Sequence, residues 1–311
     1  MKSNKPLWGI DLGGTKIEGI ILEPGENPKT LCRMRIPSET EKGYEHITRQ
    51  IIKLIDMMKL ASGLQPERIG MGTPGILDPL TQTMKNCNST CLNGMPLKAD
   101  MEKLLGIPVE IANDANCFAL AETLYGIVKD ECPDARVIFG VILGTGVGGG
   151  IVIDNKVWNG KQGIAGEWGH NILEEEGGEP CYCGKSGCVE SVLSGPALEK
   201  YYTKLSGQKL SMKEIYELHL SGKDTNATQA INRLTSMFGK AISVIVNILD
   251  PDAIVIGGGV GNIDSLYTEG LKELRKYIFN NRVETVLLKP KLGDSAGVFG
   301  AAGLVSYELR S

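Results

Sequence analysis

Three cysteines, Cys181, Cys183 and Cys188, fall within eight residues, and His170 stands eleven residues before the first of them. Glycines inside the segment let one loop fold round an ion. Three thiolates and an imidazole make a closed tetrahedral zinc set, with no position open for a catalytic water. Three metal-free buried thiols are the alternative, and the spacing argues against it. Two carboxylates are tied to the same loop. Glu167 lies three residues before His170 and shares a face with it on a helical turn, and Glu190 lies two after Cys188. Either one alone reads as a solvated surface residue. Fixed by a common metal loop, the two suit hydrogen bonding to the hydroxyls of a sugar.

A second kind of chemistry is written in glycine. Phosphate binding needs several backbone N–H groups converging on one point, and glycine permits the turn without a Cβ in the way. Gly13-Gly14-Thr15-Lys16 follows Leu7–Leu12, and Gly144-Thr145-Gly146 follows Val137–Leu143. Gly257-Gly258-Gly259 follows Ala253–Ile256. One such turn is no more than a turn; two matched turns with a third glycine group suit phosphates gripped from both sides, with Asp11 holding Mg²⁺ through water. Gly184-Lys185-Ser186 resembles the tail of a P-loop, but Glu179 occupies the required earlier glycine position. Gly144-x-Gly146-x-x-Gly149 matches the dinucleotide fingerprint, yet a β run follows it rather than a helix. Both of those readings fail. Asp114, at the junction between the strand Pro108–Ala112 and a helix running to about Leu124, is either an N-cap or a group presented to a ligand. The helix dipole is expected to keep it ionised.

The elements that must position these groups alternate between strand and helix. Leu7 to Leu22 reads as a β-hairpin across the first glycine turn, and Val137 to Ile153 as a second, with Ile151–Ile153 its return strand. The repeat suggests a duplicated fold whose two related lobes face each other across a cleft. Ile51, Ile52, Leu54, Ile55 and Met58 make a helical stripe stopped by Gly63 and Pro66. A longer one runs from Ile231 to Leu249 and closes at Pro251. The class is therefore α/β with a mixed sheet. A chain of 311 residues, 42% hydrophobic and 23% charged, exceeds what one core usually serves. The expected lobes are 1–112, with 298–311 returning to it, and 113–297. A net charge of -4 leaves no basic excess for nucleic acid. Lys2 and Lys5 precede too short an apolar stretch for a signal peptide, and glycines break Val137–Ile153 as a membrane span. The expectation is a cytoplasmic protein with neither nucleic-acid nor membrane partner, its eight cysteines serving as thiols and metal ligands.

Taken together, Asp11-Leu12-Gly13-Gly14-Thr15-Lys16, Gly72-Thr73-Pro74-Gly75, Asn113-Asp114-Ala115-Asn116, Gly144-Thr145-Gly146, Glu167-Trp168-Gly169-His170 and Cys181 to Glu190 resemble the ROK (repressor–open reading frame–kinase) family of sugar kinases. The likeness runs from Ile10 to about Gly303. It implies an actin-like (ribonuclease H-like) ATPase fold, duplicated, with ATP and Mg²⁺ between the lobes. It further implies Asp114 as catalytic base, with Gly75, Asn88, Asn113, Glu167, His170 and Glu190 at the sugar. The nucleotide falls to Asp11, Gly13, Gly14, Thr15, Lys16, Gly144, Thr145, Gly146 and Gly257–Gly259, and structural zinc to His170, Cys181, Cys183 and Cys188. Within the family, Asn88 to Gly94, Gly166 to Asn171 and Val246 to Asp252 look most like bacterial fructokinases, or manno(fructo)kinases. Cys91 stands where such relatives can carry tryptophan. The resemblance thus implies transfer from ATP to the 6-hydroxyl of fructose, with mannose as a second acceptor, in a homodimer. The alternatives are a glucokinase or N-acetylhexosamine kinase of the same family, and a non-catalytic sugar-binding regulator. A sugar-responsive repressor would need a DNA-binding module, for which the ten residues before Asp11 are too few.

Overall fold

The computed structural model describes residues 5–306. Lys2 and the last five residues of the expected 298–311 return lie outside them. In chain order the strands and helices are β1 (Leu7–Leu12), β2 (Lys16–Leu22), β3 (Thr30–Pro37), α1 (Tyr44–Ser62), β4 (Ile69–Thr73), β5 (Ile76–Leu77) and β6 (Met84–Lys85). Next come α2 (Leu97–Leu105), β7 (Val109–Asn113), α3 (Asp114–Leu124), α4 (Ile127–Glu131), β8 (Val137–Leu143), β9 (Val147–Ile153) and β10 (Lys156–Val157). The chain ends with α5 (Val189–Leu193), α6 (Gly195–Ser206), α7 (Met212–Ser221), α8 (Thr225–Leu249), β11 (Ala253–Gly257), α9 (Ser265–Leu274), β12 (Val286–Leu288) and α10 (Ala296–Gly303).

Two five-stranded sheets repeat one plan, β3-β2-β1-β4-β7 and β10-β9-β8-β11-β12. In the first, β1, β2 and β3 are antiparallel neighbours, while β4 and β7 run parallel to β1. In the second, β11 lies parallel to both β8 and β12. That is the duplicated, mixed α/β arrangement expected from the sequence. Helix α1 buries Ile47, Ile51, Leu54, Ile55 and Met58 against the first sheet and stops at Gly63, which takes the left-handed conformation at φ 70°. Each such side chain contributes about 1.5–3 kcal/mol through burial. Helix α8 ends likewise at Asp250, φ 46°, ahead of Pro251.

The chain divides into two compact units. One comprises the residues up to Pro133, Gly150–Ala165 and those from Lys291 onward; the other comprises Asp134–Gly149 and Gly166–Pro290. Compactness thus places α3 with the first unit, where the sequence reading began a second lobe at residue 113. The cause is α10, a helix of small residues that packs along α3, β1 and β4. It lies so close that a Cβ on Gly70 of β4 would sit 1.8 Å from the Ala301 carbonyl oxygen. Glu122, wholly buried at the end of α3, holds the approach to α10 in place. Its carboxylate accepts the amides of Ile127 at 2.9 Å, Lys291 at 3.1 Å and Leu292 at 2.9 Å. No sequence period signals a carboxylate whose partners lie 170 residues away.

The second hairpin also differs from its sequence reading. Strand β9 starts at Val147 rather than Ile151, so Gly148, Gly149 and Gly150 belong to the strand and not to the turn. Two of them are there for room. A Cβ on Gly149 would lie 2.7 Å from the Gly166 oxygen and from the Trp168 ring, and one on Gly150 would lie 2.5 Å from the Ala115 oxygen.

Candidate functional site

In the first unit the candidate residues collect at the carboxyl ends of the parallel strands β1, β4 and β7. The Gly13–Lys16 turn closes with the Gly13 amide on the Lys16 carbonyl at 2.9 Å. Ser38 and Thr40 pin it from the side, both hydroxyls donating to the Gly14 carbonyl, at 2.8 and 3.1 Å. Asp11 ends β1 in a close slot, for a Cβ on Gly297 of α10 would lie 2.6 Å from its carboxylate. Burial, then the negative charges of Asp114 and Glu18, push the Asp11 pKa up to about 6, against the opposing pull of Lys16 and Arg35. Glu18 is itself buried, and Arg33 and Arg35 donate to its carboxylate at 2.5 and 2.7 Å. A partly desolvated Asp11 carboxylate with the negative charge of Asp114 near it makes a donor set suited to a divalent cation.

Asp114 opens α3, but Asn113 caps it: the Asn113 Oδ1 accepts the Asn116 amide at 2.8 Å. The capping role left open for Asp114 is therefore filled by its neighbour. The Asp114 carboxylate, exposed at its own surface, accepts its following amide, Ala115, at 2.8 Å. Enough protein surrounds it that lost solvation, outweighing the amide hydrogen bonds, raises its pKa. Gly75 and Asn88 flank the β5–β6 hairpin, next to the end of β4. The buried Thr73 hydroxyl reaches both the Gly75 and Ala112 carbonyls, at 3.0 and 3.3 Å. The Asn88 amide donates to Pro74 at 3.3 Å.

In the second unit the glycine turns meet at one end of adjacent strands. The Gly144 amide bonds the Gly146 carbonyl at 2.9 Å, and Gly257 pairs with Ile142. Gly258, at φ 85°, leaves no room for a Cβ, which would fall 2.2 Å from the Leu143 carbonyl oxygen. Glu190, in the first turn of α5, accepts the Val147 amide at 2.9 Å and so faces this turn. Because β9 is a strand, the dinucleotide reading of these glycines stays excluded.

The ligand atoms of His170, Cys181, Cys183 and Cys188 all lie within 4.8 Å of one another. Cys181 Sγ is 3.6 Å from His170 Nδ1, and Cys183 Sγ is 3.6 Å from Cys188 Sγ. A tetrahedron with Zn–S bonds of about 2.3 Å has edges of about 3.8 Å, so these residues fit the ion. His170 closes a single 3₁₀ turn that begins after Glu167, and its Nε2 meets the Tyr182 hydroxyl at 3.0 Å. That contact fixes the ring so that Nδ1 faces the thiols, the orienting role such partners play around metals. Tyr182 was not singled out in the sequence, although its place between two ligands was the available signal. Burial, then the charges of Glu190 and Glu167, push its pKa up to about 12. Both glutamates therefore lie within electrostatic reach of one hydroxyl beside the metal set.

The fold is that of the actin-like ATPases. The ROK family model matches residues 7–308, and the chain belongs to that family. It is 36% identical over 307 residues to an N-acetyl-D-glucosamine kinase of Vibrio parahaemolyticus serotype O3:K6, spanning 96% of this chain and 98% of that one. Among solved structures, a ROK hexokinase from Thermus thermophilus superposes with a TM-score of 0.85 at 30% identity, covering 97% of this chain and 98% of that one. A ROK-family glucokinase from Streptomyces griseus, in complex with glucose and AMPPNP, gives a TM-score of 0.75 at 28% identity, covering 96% and 99%. Among the described residues no helix is long and apolar enough to cross a membrane.

Proposed function

We propose that this protein is an ATP-dependent hexose kinase whose acceptor is N-acetyl-D-glucosamine. The observation that carries the substrate is likeness along nearly the whole of both chains to a kinase of that sugar. It favours the N-acetylhexosamine alternative over fructose, which rested on short segments. The observation that supports catalysis is Asp114, released from capping by Asn113 and placed where β7 meets α3.

Phosphoryl transfer passes through a loose transition state, so positioning and charge neutralisation supply most of the acceleration. Asp114 accepts the proton of the attacking hydroxyl late, as an ordinary carboxylate can. Gly75, Asn88, Asn113, Glu167, His170 and Glu190 are the residues proposed to contact the sugar. The turns Gly13–Lys16, Gly144–Gly146 and Gly257–Gly259 are the proposed nucleotide contacts, the amides of Gly13 and Gly144 closing their own turns rather than meeting phosphate. Asp11 would hold Mg²⁺ through water, and the ion when bound neutralises charge on the transferring phosphate. His170, Cys181, Cys183 and Cys188 would hold zinc, which supplies rigidity rather than chemistry.

ADP release measured on zinc-replete protein across N-acetylglucosamine, N-acetylmannosamine, glucose, mannose and fructose tests this. The highest kcat/KM is expected on N-acetylglucosamine. A preference for fructose would restore the fructokinase reading, and ADP release with none of the five would leave a sugar-binding protein without turnover.

A further inference from the structure

We propose that Lys85 is a positioning residue for the acceptor sugar, its ammonium latching the Gly75–Asn88 hairpin to the strap that leads to Glu167; this rests on the kinase reading above. Lys85 is the last residue of β6 and pairs with Ile76 across a two-stranded hairpin. A lysine on such a short hairpin is ordinarily a solvated charge. Here its side chain is only 29% exposed, and Nζ donates to two acceptors, Asp78 Oδ2 at 2.8 Å and the Gln162 carbonyl oxygen at 2.9 Å. The second acceptor lies 77 residues along the chain.

Each end of the latch is built. Asp78 is held by the amides of Leu80 at 2.8 Å and Thr81 at 3.2 Å, and the Thr81 and Thr83 hydroxyls meet at 2.8 Å. The bond from Lys85, then those two amides, hold the Asp78 pKa down at about 2, so its charge is present throughout the working range. On the other side, Gly163 fits against the hairpin so closely that a Cβ would lie 2.7 Å from the Ile76 side chain. The strap is also tied to α3, the Asn116 amide group donating to Asn159 Oδ1 at 3.4 Å.

What the latch positions follows from chain order. Three residues beyond Lys85 is Asn88, reached through Cys87, whose amide bonds Asn93 Oδ1 at 2.8 Å. Gly75, one residue before β5, lies against Cys87 and the Lys85 carbonyl, where a Cβ would meet them at 2.3 and 2.8 Å. Five residues beyond Gln162 is Glu167. One ammonium thus joins two segments that each run into proposed sugar contacts, while making no contact with the reacting groups itself. Its loss should loosen sugar binding and leave the chemical step alone.

Two measurements on Lys85→Met and Lys85→Arg test this. Hydrogen exchange on the ligand-free full chain should be faster in Lys85→Met than in wild type over both 76–88 and 159–165. Unchanged exchange in either segment overturns the latch, whatever the enzyme phosphorylates. In steady-state assays, Lys85→Met should raise KM for N-acetylglucosamine about tenfold, the factor one charge-assisted hydrogen bond is worth, with kcat and KM for ATP within about twofold. Lys85→Arg, which can still reach both acceptors, should recover most of that loss. A fall in kcat at unchanged KM, or an equal loss in Lys85→Arg, overturns the positioning role. If wild-type protein phosphorylates no hexose, the proposed function falls, and the exchange measurement still decides the latch. Should Lys85→Met fail to fold, Lys85→Gln carries the same readouts.

Discussion

In the first unit Asp11 and Asp114 stand at the ends of β1 and β7, held by strands whose side chains fill a buried apolar core. In the second, Glu167 and Glu190 stand on a single 3₁₀ turn and a five-residue helix, joined by a stretch that is largely exposed. The first pair inherits its geometry from packing, at the cost of crowding two carboxylates. The second also sits beside buried residues, Trp168 next to Glu167 and Val189 next to Glu190, but the long stretch between them has little apolar packing. Its loop brings together four side chains that could hold a metal, and is tied by ion pairs of Glu174 with Arg233 at 2.7 Å and of Glu179 with Lys200 at 2.6 Å and with Lys204. Exposed pairs like those of Glu179 are worth little singly, so on the proposed function a bound ion would be what makes such a loop rigid. Strand ends place a carboxylate through the fold itself, whereas a loop needs a ligand field.

That contrast breaks first at Asp114. Asp114→Asn should lower kcat by roughly 10²–10⁴-fold, the range of a lost general base, with sugar affinity within a few-fold. Because Asn113 supplies the cap, the thermal midpoint should hardly move. The opposite pattern, retained kcat with a loss of about 1 kcal/mol of stability, would make Asp114 a cap after all.

Cys183→Ser puts the same question to the second unit. Bound zinc, measured by elemental analysis, should fall well below one per chain, and kcat/KM for the sugar should drop by at least about tenfold. The midpoint should fall by roughly 2–4 °C for each kcal/mol of lost ion binding. Full activity in zinc-free protein would show that the loop needs no metal, and the contrast between the units would vanish.

How much of this was legible beforehand differs between the same two regions. The clustering of His170, Cys181, Cys183 and Cys188 could be read because these residues are close in sequence and chemically distinctive. The Asp11 hairpin could be read because strand, glycine turn and strand are local. Contacts formed at a distance could not. Nothing near Glu122 announces the amides of Lys291 and Leu292, and nothing near Lys85 announces the carbonyl of Gln162. The glycines of β9 misled for a related reason. Locally they read as turn, and only Trp168 and Ala115, packed against them, show that they are strand residues thinned for contact. The substrate was less legible still, since short segments near Asn88 and Val246 pointed to fructose while the chain as a whole is similar to an N-acetylglucosamine kinase.

The smallest expected effect concerns the crowding itself and is read from stability rather than turnover. Asp11 has a folded-state pKa of about 6, above the ordinary value of 3.8. The folded protein therefore binds this proton more tightly than the unfolded chain does. The stability it contributes is fully present below about pH 3.8 and is lost as pH rises through about 6. In ligand-free, metal-free protein, the free energy of unfolding between pH 4.5 and 7.5 should thus fall more steeply in wild type than in Asp11→Asn. The whole effect is bounded at about 3 kcal/mol, since each pKa unit corresponds to about 1.4 kcal/mol. Asp114→Asn separates the causes. Burial is the first contribution and the Asp114 charge the second, so that variant should flatten the slope only in part. A slope in Asp114→Asn as shallow as in Asp11→Asn would mean that repulsion, not burial, governs the pair. A slope identical to wild type would mean that the two carboxylates do not sense each other, and the first unit would lose its claim to a cation site.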